Sequence, residues 1–209
     1  MLDAHTIDAV ARFFLGFSHF LFILPMLALG FVFLNKRLFY HALCIMFFSI
    51  IINVALKTTF QIPLAPFLNK AGFAFPSGHM QLATIVYGWL AFKIPSTRLR
   101  ILISVVLIGI GFGLVHFGYH TVIDVLGGVF FAVLLITLYA FMQCEHNKIL
   151  PWILATISSL AMPYMAWRGT ILPHAWVAYC ALLALISAEL FYKQKFLQEK
   201  IYAFTQDRK

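Results

Sequence analysis

Three groups of residues have the types and spacing to do chemistry. Pro76-Ser77-Gly78-His79 stands directly before an apolar run that opens at Met80. Ser77 suits a helix cap, and Gly78 lets a ligand come close to the backbone. The free amides and dipole of such a helix start favour an anion such as phosphate; a structural cap with an incidental histidine is the alternative. His120 and Asp124 form the second group, spaced i and i+4 in GYHTVIDVLGG. On a helix the carboxylate would accept a proton from one imidazole nitrogen and leave the other as nucleophile or base, or the pair would only satisfy itself at a helix end. The third is Lys57 in KTTFQIPLAP, which on its own reads as a snorkelling anchor. Together, two histidines, a carboxylate, an anion-suited helix start and a cation fit phosphoryl transfer through a phosphohistidine. One imidazole attacks phosphorus and the other protonates the leaving group.

Such residues need elements to hold them, and the composition says in what solvent. Of the 209 residues 63% are apolar and 11% charged, against about 25% charged in soluble domains. The same figures, with 17% aromatic residues, exclude a disordered chain. Nucleic-acid binding is a poor reading of the +8 net charge, because the 15 Lys and Arg are scattered between apolar runs and form no stripe. Uncharged windows fall at 13–35, 38–56, 71–92, 101–123, 125–144, 149–167 and 169–188, each near the roughly 20 residues that a bilayer-spanning helix needs. The expected fold is all-α, a polytopic transmembrane helical bundle of six to seven spans, and one membrane domain over 1–209. The first window, flanked by Asp3 and Asp8, is too long for a signal core and is expected to remain in the mature chain.

Basic residues set the expected orientation. If the chain alternates sides, Lys36, Arg37, Lys93, Arg98, Arg100, Lys148, Lys193, Lys195, Lys200, Arg208 and Lys209 share one side, and Arg12, Lys57, Lys70 and Arg168 the other. The first set is cytoplasmic by the positive-inside tendency, which puts the C-terminus inside and 57–79, His120 and 168–174 outside. A bacterial inner membrane is the expected location. Cys44, Cys144 and Cys180 are too widely spaced for a metal site or disulfide framework. Pro25, Pro151 and Pro163 are expected to kink or end helices, and Gly109, Gly111, Gly113, Gly127 and Gly128 to allow close helix contacts. The 22-residue connection from Lys57 to Gly78 is long and punctuated by Pro and Gly, as functional loops often are.

With PSGH intact in GFAFPSGHMQLATIVYGWLAF, and HTVIDVLGG similar to the end of a third motif, residues 57–128 resemble the type 2 phosphatidic acid phosphatase superfamily. The resemblance implies a PAP2-like membrane core acting on a lipid phosphate or diphosphate, with no metal or other cofactor. It makes His120 the nucleophile, Asp124 its orienter, His79 the general acid, and Lys57, Ser77 and Gly78 phosphate ligands. By the same register the arginine and proline of the family's first motif fall on Leu64 and Ala65, and the serine and arginine of its third on Gly113 and Leu114. At about 1.5–3 kcal/mol for each hydrogen bond to a charged group, two missing arginines weaken phosphate binding on the order of 10²–10⁴ fold. Three outcomes are compatible with that. Lys70, His116, Arg168 or His174 compensates; the substrate is a less charged phosphodiester, used in headgroup transfer as by the sphingomyelin synthases; or the chain binds or transports a lipid without turning it over.

Overall fold

The computed structural model describes residues 3–68, 72–169 and 172–206. Among them are eight helices: α1 (Ala4–Gly16), α2 (Phe20–Phe33), α3 (Lys36–Phe60), α4 (Gly78–Lys93), α5 (Thr97–His116), α6 (Val122–Glu145), α7 (Leu150–Trp167) and α8 (Pro173–Gln206). No strand occurs among the described residues, and the isolated bridge between Pro63 and Phe73 only pinches the loop after α3. Local sequence explains where several helices start. The side chains of Asn35, Ser77, Ser96 and Thr121 each accept a hydrogen bond from a first-turn amide of the helix that follows, filling donors that a helix start leaves unpaired. Pro151 sits at the start of α7, where it forfeits no helical bond. α2 and α7 continue through Pro25 and Pro163, so these two prolines do not end their helices.

Four helices are long and apolar enough to cross a membrane: α3, α5, α6 and the Pro173–Lys195 part of α8. Paired as one span, α1 and α2 make a fifth, bent by 46° at the break between them. By length and composition the count is therefore four or five, short of the six to seven expected from charge-free windows. An uncharged window is a weaker condition than a long apolar helix. The third window loses its first residues to the loop before Gly78, leaving α4 with 16, and α7 dilutes its 18 residues with Thr156, Ser158, Ser159 and two prolines. The first window breaks at 17–19, where the Ser18 amide and hydroxyl both donate to Leu15 O, at 2.9 and 2.8 Å.

α3 is the central pillar, with 72% of its apolar window buried, against 22–33% for α5, α6 and α8. Those outer helices turn Ile108, Ile123, Phe130 and Val177 to the surroundings. So much outward apolar surface is unusual for a monomer in water and consistent with an integral membrane protein. Glycines let the helices meet closely. A Cβ at Gly128 on α6 would lie 2.8 Å from Ser77 O and 3.1 Å from Gln81 N, and one at Gly113 on α5 would lie 2.9 Å from Ala11 O on α1. Such backbone approach is how helices associate where burial from water gives no drive. α4 and α6 run side by side in the same direction: Ser77 N donates to Asp124 O (2.9 Å) at one end and Lys93 Nζ to Gln143 Oε1 (2.7 Å) at the other. The same end of the bundle collects the end of α3, the starts of α4, α6 and α8 and the end of α5 around one cavity.

Candidate active site

Lys57 lies one turn before the end of α3, and its Nζ donates to Phe73 O at 2.8 Å. That bond ties the helix end to the returning limb of the loop, itself closed by Leu64 N to Gly72 O (3.2 Å) and Ala74 N to Ile62 O (2.7 Å). Two further ammonium protons remain for a ligand, and Lys57 lines the cavity. It is turned into the protein, as an outward-snorkelling anchor is not.

The PSGH segment starts α4 under this loop. Ser77 is fully buried; its hydroxyl accepts a long bond from Met80 N (3.5 Å) and its amide is bound to Asp124 O. Ser77 therefore caps α4 and is not on the cavity wall, whereas Gly78 and His79 are. Gly78 faces Asn53, whose Oδ1 would stand 3.1 Å from a Cβ there. Asn53 Nδ2 in turn donates to Gln81 Oε1 (2.8 Å), and Gln81 Nε2 to Ser49 Oγ (3.0 Å). This buried amide relay, invisible to motif reading, fixes α4 to α3 directly beneath the site.

His120 is not helical. It precedes the cap residue Thr121, and Asp124 is the third residue of α6. Asp124 Oδ2 accepts from Thr121 N at 2.8 Å and from Thr121 Oγ1 at 2.9 Å, while Asp124 N donates to Thr121 Oγ1 at 3.2 Å, a reciprocal capping box. The same oxygen stands 3.8 Å from His120 Nδ1, too far for a hydrogen bond, and that nitrogen is buried with no hydrogen-bond partner. The expected imidazole–carboxylate bond is thus aimed but open, as catalytic hydrogen bonds commonly are without substrate. With Nδ1 turned to Asp124, Nε2 is the nitrogen left for the cavity that His120 lines. Burial, reinforced by the Lys57 charge and opposed by Asp124, lowers the His120 pKa to about 4, so the ring is neutral at pH 7.

The cavity measures about 990 Å³, room for more than a phosphate group. Lys57, Gly78, His79 and His120 share its wall, and Leu64 and Leu114, the two positions where the resemblance places arginines, lie on it as well. The four suggested compensating cations part company. Lys70 lies outside the described residues. His116 Nε2 pairs with Asp8 Oδ1 at 2.7 Å, off the wall. Arg168 Nη2 donates to Thr58 O at 3.4 Å, a tie between α7 and α3 that also stays off the wall. His174 lines the cavity. Two residues that sequence reasoning passed over join it: Arg12 near the end of α1, and His19 in the α1–α2 break, whose ring lies edge-on to His79 at 5.7 Å. The one sequence signal for Arg12 is that it falls on the same side as Lys57 in the charge alternation.

Two imidazoles, an ammonium and the amino ends of two helices on one wall can bind an anion and pass its phosphoryl group to nitrogen. A family model described as PAP2 superfamily matches residues 37–148, just over half of the chain. No curated protein and no solved structure matches it significantly. The matched segment spans α3 to the end of α6 and so contains Lys57, the PSGH box, His120 and Asp124, but neither α1–α2 nor α8.

Proposed function

The chain belongs to the PAP2 superfamily, and from that premise we propose that it is a membrane phosphatase hydrolysing a lipid phosphate or diphosphate at the outer face. The observation that carries this reading is the shared wall of His79, His120 and Lys57, with His120 neutral and its Nε2 free to attack. In the first step Nε2 forms a bond to phosphorus while the bond from phosphorus to the leaving oxygen breaks, and His79 gives that oxygen a proton. As the ring becomes cationic, its Nδ1–H closes on Asp124 Oδ2. In the second step His79 takes a proton from water, the oxygen attacks phosphorus, the P–N bond breaks, and phosphate leaves. Lys57 and the Gly78 and His79 amides hold the phosphoryl oxygens, where fixed donors stabilise developing charge most.

The cytoplasmic side is the one bearing Lys93, Arg98 and Lys148, and the apolar lower wall, including Phe47, Ile50 and Leu82, receives the lipid chain. The test is to quench the protein within milliseconds of mixing with ³²P-labelled lipid phosphate. Acid-labile, base-stable label on wild type and none on His120→Ala is expected; label retained on His120→Ala contradicts the mechanism. A second reading, transfer of a headgroup to another hydroxyl, is favoured by the leucines at 64 and 114, since a phosphodiester needs less charge around it. Supplying a diacylglycerol acceptor separates the two: hydrolysis releases inorganic phosphate, and transfer makes a new phospholipid with little release.

A further inference from the structure

We infer that Arg12, on a helix outside the family-matched segment, is a substrate-binding residue that grips the phosphoryl oxygens from the side of the cavity where Leu114 offers no charge. The inference rests on the phosphoryl reading above. Its physical basis starts with the α1–α5 contact. Because residue 113 is glycine, the backbone of α1 reaches α5 so closely that a Cβ there would meet Ala11 O at 2.9 Å and Leu15 Cγ at 2.8 Å. That register places Arg12, the residue after Ala11, on the same cavity wall as Leu114, which is itself 2% exposed and apolar. The helix packed on α5 at Gly113, one residue before the position that could have carried a cation, thus brings one itself.

The guanidinium is also oriented. It lies over the Phe117 ring, 5.0 Å from the centroid, and Phe117 lines the same cavity three residues before His120. A cation–π contact uses none of the N–H donors of the guanidinium, which suit a bidentate oxygen acceptor. The nearest carboxylate along α1, Asp8, is taken by His116 at 2.7 Å, and among the described residues no Asp or Glu side chain is on the cavity wall. Asp8 acts on Arg12, and Asp124 on Lys57, only through space, so on the wall itself both cations face a cavity suited to an anion. Two edge hydrogen bonds to a phosphoryl group suit the planar fork of arginine and not the point charge of lysine.

The experiment titrates inorganic phosphate into the full-length protein in detergent, reading thermal stabilisation against chloride at matched ionic strength. It compares wild type with Arg12→Gln, Arg12→Lys and, as a charge-loss control at the opposite end, Arg98→Gln. Arg12 is exposed, so its variants should keep the wild-type melting temperature without phosphate. Expected is a phosphate Kd about 10–100 fold weaker in Arg12→Gln, partly recovered in Arg12→Lys and unchanged in Arg98→Gln, with kcat/KM for a lipid phosphate falling in step. Equal phosphate affinity in wild type and Arg12→Gln, or no phosphate stabilisation of wild type at all, overturns the assignment. Arg12-dependent phosphate binding by a wild-type protein that releases no phosphate from any lipid upholds the assignment and overturns the hydrolase reading.

Discussion

A histidine that attacks phosphorus must be neutral, and in the proposed mechanism burial and the Lys57 charge keep His120 so. Its pKa of about 4 in the folded chain lies below the roughly 6.5 of an unfolded one. Between those values the unfolded state binds a proton that the folded state does not, so stability falls as pH drops from about 6.5 toward 4, while the folded ring stays neutral. The acid limb of kcat/KM is therefore expected near pH 4, and Lys57→Gln, which removes a cation that lowers the value, should move the limb upward. A limb at 6.5 in wild type would assign it to another group. His79→Ala should lose about 10²–10⁴ fold in kcat, the usual worth of a positioned acid–base. Asp124→Asn should cost activity through the imidazole and about 1 kcal/mol of stability through the lost capping box, read as a lower melting temperature. At this scale the sequence was legible where chemistry is written in short spacing: Lys57, His79, His120 and Asp124 meet as their motifs suggest. Asp124 was half legible, since i, i+4 spacing does not reveal that Thr121 holds the same oxygen. Arg12 and His19 were not, because contacts with residues as distant in sequence as Phe117 and His79 leave no local pattern.

Elements hold these residues by close approach, and that too is testable. Gly128 allows α6 to lie against the cap of α4, with Ser77 O and Gln81 N where a Cβ would go. Backbone cannot move aside as a flexible side chain can, so Gly128→Ala should destabilise by about 1–3 kcal/mol and displace the PSGH amides, lowering kcat/KM beyond what the lost stability explains. A variant as stable and active as wild type would mean that the two helix starts are not coupled. The glycines foretold tight packing without naming partners, and α1 as the neighbour of Gly109 and Gly113 emerged only from the fold. The long connection before Gly78 was legible from its prolines and glycines. The break at 17–19 was not, because Ser18 bonding back to Leu15 O needs no proline and little polarity.

At the scale of the whole molecule, the apolar outer faces and the buried α3 agree with a chain that crosses a membrane, with the cavity and the Lys93–Gln143 contact at opposite ends of α4 and α6. Composition made the helical membrane class legible; of its six to seven expected spans, four or five are helices long and apolar enough to cross a membrane, because freedom from charge says nothing about helix length. In the proposed orientation Cys144, exposed near the end of α6, faces the cytoplasm. In a Cys180→Ser background, an impermeant maleimide should label it in inverted vesicles and not in intact cells; the reverse would place the cavity inside. The most direct test of the central claim is phosphate release by the purified protein in detergent with chelator, from a panel of lipid phosphates and diphosphates, beside His120→Ala. The account predicts release by wild type that falls to background in the mutant. Equal release by both proteins, or none from any substrate, would contradict it.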